Sequence, residues 1–248
     1  MSKLFIAIPV SNRAAIVEAC LPTIESTLYD ADSGVSLHGD ILAIYDDAST
    51  DKASLHLWAD ELHTYEKNIG IEGQRRIHFM DFWNQRKRHG CTHLYLTDSD
   101  AIHDPNWRAE ALRLQEKYGG APICLYNTQA HVRIAGNTIA DDPAEEVIWR
   151  RSAPGISYLL TLEHVEQVVK RLPGLPPHWN WDWTVPAILG HRMAVSRVNY
   201  CDHIGWGGYH HPVKEGFDGG DRCLNPTPWL IAKRIEIVEK LKACLTPS

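Results

Sequence analysis

The chain has no excess of positive charge. Its 25 lysines and arginines stand against 31 aspartates and glutamates, a formal net charge of −6. The counter-ion release that dominates nucleic-acid binding therefore has no evident source. No apolar run approaches the roughly 18–20 residues that a membrane span needs. The opening segment Lys3-Leu4-Phe5-Ile6-Ala7-Ile8-Pro9 is apolar only briefly and lacks a small-residue cleavage site, so it reads as a first strand and not as a secretory signal. The six cysteines (Cys20, Cys91, Cys124, Cys201, Cys223 and Cys244) include no CxxC pair. That pattern suits free thiols in a reducing compartment, and a cytoplasmic location is the expectation. Internal repeats, low-complexity runs and a convincing linker are all missing, so the 248 residues are expected to form a single domain. The segment after the first strand, Val10-Ser11-Asn12-Arg13-Ala14, contains no glycine, which counts against the glycine-rich phosphate loop of a nucleotidyltransferase.

What the chain does have is a pair of aspartates at a telling place. The apolar run His93-Leu94-Tyr95-Leu96 reads as a buried strand and ends in Thr97-Asp98-Ser99-Asp100. A strand alternates its side chains, so Asp98 and Asp100 are expected to point to the same side. Two carboxylates held together repel unless a cation sits between them. Mg²⁺ or Mn²⁺, which combine carboxylate oxygens with substrate phosphates, would resolve that repulsion. The competing structural reading is a polar turn after a core strand, supported by Asp104-Pro105 downstream.

The periodicity alternates between strand and helix. Strands are expected at Lys3–Val10, Asp40–Asp46, Thr92–Thr97 and Pro122–Asn127. Helices are expected at Asn12–Leu28, with a kink or break at Pro22, and at Asp51–Tyr65, Glu72–His89 and Trp107–Tyr118. This order predicts an α/β protein with a mostly parallel central sheet flanked by helices. Ligands in such folds sit outside the carboxyl ends of the strands. Asn12-Arg13, Asp46-Asp47 and Asp98-Asp100 all fall at those ends. Beyond Ala130 the pattern loosens: a polar stretch with a short hairpin at His131–Trp149, helices at Ser157–Leu172 and from Trp183 or Thr184 to Met193, a strand at Ala194–Tyr200, and a last amphipathic helix at Pro228–Leu245.

Four segments occur together in order: Ile6-Ala7-Ile8-Pro9-Val10-Ser11-Asn12-Arg13, Ile44-Tyr45-Asp46-Asp47-Ala48-Ser49-Thr50-Asp51, Asn68-Ile69-Gly70-Ile71-Glu72-Gly73-Gln74-Arg75 and Tyr95-Leu96-Thr97-Asp98-Ser99-Asp100. In order and spacing they resemble the GT-A type nucleotide-sugar glycosyltransferases, closest to the family 2-like group. The resemblance covers about the first 110 residues; the second half matches only in outline. It implies a GT-A (Rossmann-like) fold, with residues 1–127 as the nucleotide-sugar-binding half and 128–248 as the acceptor-binding and catalytic half. It also implies a donor that is a nucleoside-diphosphate sugar, a UDP-sugar being favoured, an acceptor hydroxyl, and a Mn²⁺ or Mg²⁺ cofactor.

Roles follow from the resemblance residue by residue. Pro9, Asn12 and Arg13 face the nucleotide. Asp46 or Asp47 accepts a hydrogen bond from the base, although the Asp47–Asp51 turn equally suits a helix N-cap. Asn68 and Gly70 line the nucleotide side, and Arg75, in preference to Arg76, reaches base or pyrophosphate. Asp100 binds the metal directly, while Asp98 serves ribose or metal beside Ser99. The late metal ligand is His203, with His210, His211 and Asp202 as alternatives. Asp182 is the general base of an inverting transfer, in the stretch Trp179-Asn180-Trp181-Asp182-Trp183, with Trp181 and its neighbours presented to sugar. Asn180 stands where a second acid would be expected, which leaves a retaining course open. Two alternatives belong to other classes: a metal-dependent phosphohydrolase or nucleotidyltransferase, and a non-catalytic nucleotide- or carbohydrate-binding protein of the same fold.

Overall fold

The computed structural model of the protein describes residues 2–51, 59–205 and 223–245. In chain order the elements are β1 (Leu4–Val10), α1 (Ala14–Leu28), β2 (Ile41–Asp46), β3 (Glu61–Thr64), α2 (Gly70–His89), β4 (His93–Thr97) and β5 (Ala101–His103). Then come α3 (Trp107–Lys117), β6 (Ile123–Cys124), α4 (Gln129–Arg133), β7 (Thr138–Ala140), β8 (Val147–Arg150) and β9 (Ser157–Thr161). The chain continues through α5 (Leu162–Arg171), a 3₁₀ turn at Leu172–Gly174, α6 (Trp181–Ile188), β10 (Met193–Ser196), β11 (Cys201–His203) and α7 (Pro228–Leu245).

Among the described residues nine strands form one mixed sheet in the order β3-β2-β1-β4-β9-β6-β10-β8-β7, flanked by helices. Only β9 and β8 run against the direction of the other seven. The central strands β1, β2 and β4 are near-continuous apolar runs because both faces of a parallel sheet are covered. Edge-to-face contact of Phe5 with Phe82, at 6.0 Å between ring centroids, locks β1 to α2. In register, Val10 pairs with Asp46 and Ala7 with Leu96. The carboxyl ends of β1, β2 and β4 therefore open on one edge, as the sequence predicts.

Three expectations need correction. The helix expected over Asp51–Tyr65 does not extend to its end: Glu61–Thr64 is the parallel edge strand β3, and residues 52–58 lie outside the described residues. Asp60 Oδ2 accepts the Leu42 N–H at 2.8 Å and sets that strand's start against β2. The helix expected over Ser157–Leu172 is a buried strand followed by a helix. β9 inserts between β4 and β6, and Thr161 then caps α5 in a reciprocal capping box with His164. A short apolar run such as Ser157-Tyr158-Leu159-Leu160 fits either state by composition, and the unsatisfied edge of β4 decides it. Finally, α6 begins at Trp181, two residues earlier than expected, and ends at Ile188, while Met193 belongs to β10. Among the described residues no helix is long and apolar enough to cross a membrane.

Candidate active site

The floor of the site starts from the turn after β4. Asp98, Ser99 and Asp100 form this turn between β4 and β5, so strand alternation is not what brings the carboxylates together. The turn does so, and β11 completes the group. β11 pairs antiparallel with β5, placing His203 opposite Ala101, next to Asp100 although a hundred residues away in sequence. Arg234 on α7 holds this strand by donating to Asp202 Oδ2 at 3.0 Å and to the His203 carbonyl at 2.7 Å. One ligand atom each from Asp98, Asp100 and His203 lies within 4.8 Å of the others. Two hard carboxylates and an imidazole are a donor set that suits Mn²⁺ or Mg²⁺ with phosphate oxygens completing the shell. The alternative ligands His210 and His211 lie outside the described residues.

The acids do not stand alone. Asp100 is 4% exposed; its Oδ2 accepts from Arg13 Nη1 at 2.8 Å and its Oδ1 from His203 Nε2 at 3.1 Å. Burial disfavours its charge, but His203 and Arg13 outweigh burial and hold the carboxyl well below the ordinary range. Asp98 goes the other way: burial raises it, and the fully buried guanidinium of Arg75, to which it is paired, only partly compensates. Burial pushes the His203 imidazole down, yet Asp100 and Asp98 together raise it. A cation entering this group replaces positive charge already present, from His203 and from Arg13, of which only Arg13 is not itself a candidate ligand. Arg13→Gln is therefore expected to raise the affinity for Mn²⁺ alone, by roughly threefold to tenfold for a partly exposed charge, in a titration without nucleotide. A weaker or unchanged affinity would show that Arg13 does not compete for Asp100.

The loop after β1 is wound tightly around these acids. Asn12 and Arg13 are consecutive non-glycine residues in the left-handed region, with φ of 55° and 61°. Asn12 Oδ1 accepts the amides of Thr50 and Asp51 at 2.8 and 3.0 Å, and the Asn12 amide donates to Ser49 Oγ at 2.8 Å. Asp51 in turn accepts the Ala14 amide at the start of α1. The polar turn after β2 thus fixes the loop after β1, which aims Arg13 at Asp100.

A cavity of about 740 Å³ lies above, within the size range of nucleotide-binding clefts. Pro9, Asn12 and Arg13 line it from the β1 loop, and Asp98, Ser99, Asp100 and His203 from the acidic group. Asp47, Asn68 and Gly70 line the side where α2 begins. Asp47 is engaged there: its two oxygens accept the amides of Ile69 at 2.7 Å and Gly70 at 2.9 Å. Asn68 donates to Ser11 Oγ and accepts from the Gly70 amide. Gly70 has φ +69°, which a side chain would strain.

Three of the expected site residues lie elsewhere. Asp46 is buried behind the turn, where its Oδ1 accepts the Ser49 amide at 3.0 Å, so the carboxylate of the pair that lines the cavity is Asp47. Arg75 does not reach the cavity. It is fully buried and spends its guanidinium on Asp98 and the Thr97 carbonyl. Trp181, 6% exposed, lies under Arg75 with the guanidinium carbon 4.5 Å from its ring centroid, and it packs edge-on against Tyr158. A Cβ at Gly155 would run into that ring. Trp179 is buried as well and donates to the Glu72 carbonyl at 3.1 Å; of the three tryptophans only Trp183 is exposed. Trp181 therefore supports the arginine that holds Asp98, while Trp179 packs beside Arg76.

Asp182 occupies the first turn of α6, after Asn180 in the left-handed region. It does not line the cavity, but it is near enough to feel Asp98 and Arg75. Burial raises its carboxyl, against backbone amides of its own turn. Sequence reasoning assigned no role to Gln74 or Ile156, which also line the cavity. Gln74 sits inside the segment that carries the resemblance, one turn beyond Gly70; Ile156 carries no local signal.

No family model matches the sequence, and no curated protein matches it. Solved structures do match its fold. TarS of S. aureus, residues 1–349, superposes with a TM-score of 0.53 at 13% identity over 80% of this chain and 59% of its own. TarS in complex with UDP-GlcNAc matches to the same degree, covering 57% of that chain. GalNAc-T7 with UDP, GalNAc and Mn²⁺ gives a TM-score of 0.54 at 10% identity, covering 78% of this chain and 41% of its own. The chain thus spans less than two thirds of the length of these neighbours. It has the fold of the GT-A glycosyltransferases.

Proposed function

We propose that the protein is a metal-dependent glycosyltransferase that takes a sugar from a nucleoside diphosphate, UDP-sugars being favoured, to a hydroxyl acceptor. One observation carries this reading: Asp98, Asp100 and His203 converge at the carboxyl edge of a GT-A sheet, on the floor of a nucleotide-sized cavity. The structures it resembles in fold include complexes with UDP-GlcNAc and with UDP and Mn²⁺.

Asp100, Asp98 and His203 would hold Mn²⁺ or Mg²⁺, which when bound stabilises the charge on a departing nucleoside diphosphate. The remaining work falls to the chain's own residues. Arg75 pairs with Asp98 from below and orients it. Released from Asp100, Arg13 presents a guanidinium to phosphate oxygens at the mouth of the β1 loop. Asp47 fixes the start of α2 beside the cavity by accepting the Ile69 and Gly70 amides. We assign the general base to Asp182, whose raised carboxyl sits at the start of α6 in the acceptor half, residues 128–248. It would take the proton of the acceptor hydroxyl as that oxygen attacks the anomeric carbon.

Calorimetric titration with UDP, GDP, dTDP and CDP, each with Mn²⁺ and with EDTA, tests the reading. Selective binding that requires the metal supports it. Absence of binding to all four, in folded and metal-loaded protein, overturns it.

A further inference from the structure

The α2 wall of the cavity carries one buried polar side chain whose amide oxygen has no partner in the structure. Gln74 lines the cavity, is 2% exposed, and its amide oxygen is buried without a partner. An unpaired buried amide oxygen carries a desolvation cost that a ligand N–H reaching it would relieve. The neighbouring groups carry hydrogen bonds or ion pairs of their own. Asp47 holds the Ile69 and Gly70 amides, Asn68 bridges Ser11 and Gly70, and Arg75 is spent on Asp98. On the helix, Gln74 follows Gly70 by four residues and Ile71 by three, so the three share one face of the first turns of α2. That face also carries the amide that orients Asp47.

We propose that Gln74 is the specificity residue that reads the nucleobase of the donor. This rests on the nucleotide-sugar reading above. A diphosphate drawn to Asp100 and His203 leaves the nucleoside to lie along the α2 wall. There the amide of Gln74 offers a carbonyl acceptor and an NH₂ donor side by side. A base edge carrying an N–H next to a carbonyl, as in the imide of uracil, satisfies both at once. Sites built to pair a buried polar group discriminate strongly against ligands that leave it unpaired. Ile71 and Ile156 supply apolar surface for the base plane.

Gln74→Met keeps the length and removes the amide; Gln74→Glu keeps the shape and is the second variant. Both are titrated, with Mn²⁺, against UDP, GDP, dTDP, CDP and ribose 5-diphosphate, which lacks a base. The expected result for Gln74→Met is a loss of roughly tenfold or more for the diphosphate that wild type prefers. The spread among the four nucleotides should narrow, with unchanged affinity for ribose 5-diphosphate. Its melting temperature without nucleotide should equal or exceed that of wild type, because no hydrogen bond is lost. Unchanged affinity and rank order would overturn the proposal. So would an equal loss on ribose 5-diphosphate, or a lower melting temperature in both variants, which would mark Gln74 as structural. A wild type that binds no nucleotide sinks the glycosyltransferase reading instead, so the two failures are distinguishable.

Discussion

Replacing Asp100 with asparagine should reduce nucleoside-diphosphate binding in Mn²⁺ to the level seen in EDTA, and lower sugar transfer by roughly a hundredfold or more. The residue is the point where the site's charges meet. It accepts from Arg13 and from His203 on separate oxygens, and it lies within ligand distance of Asp98. Asparagine keeps the shape but removes the negative charge on which a divalent cation depends. It also leaves one amide N–H facing a donor, Arg13 or His203, so some local rearrangement is expected along with the loss of metal. Calorimetry reads the metal-linked affinity, and a thermal melt run alongside shows that the fold persists. Unchanged Mn²⁺-dependent affinity would remove Asp100 from the metal site.

Asp182→Asn should separate binding from chemistry. Loss of a general base lowers kcat by roughly 10²–10⁴, while Asp182 lies outside the cavity lining, so nucleotide affinity should stay within about twofold. The pH profile adds a second readout. Burial raises the Asp182 carboxyl, and the nearby charge of Asp98 adds to this, against the backbone amides of the turn and Arg75. A base works ionised, so kcat should climb with pH through a pKa above the ordinary aspartate value of about 3.9. The variant should lack that limb. Near-normal turnover in Asp182→Asn, or a limb that survives it, would rule the residue out as base.

The first half of the chain was legible because its signals are local. Continuous apolar runs at β1, β2 and β4 identify buried parallel strands, and a polar residue pair after each one falls on the ligand edge. Asp47, Asn68 and Gly70 line the cavity. The errors arose where a segment's state depends on a distant neighbour. Ser157–Thr161 is a strand because β4 and β6 need a partner between them. Glu61–Thr64 is one because the edge of β2 lies open beside it. Neither need is written in the segment itself.

The same division holds within the site. The sequence by itself determined the alternating α/β order, the acidic turn after β4 and the polar turns after β1 and β2, because turn chemistry and apolar periodicity act over a few residues. Only the tertiary structure decided what each charged side chain faces. It turned Arg75 inward to Asp98 with Trp181 beneath it, drew Arg13 onto Asp100, and left Gln74 unpaired on the α2 wall. It also carried His203 across a hundred residues to the acids through the pairing of β11 with β5. The reason is physical: a buried charge or amide is stable only with a partner, and that partner is set by which strands and helices pack together, not by its distance along the chain.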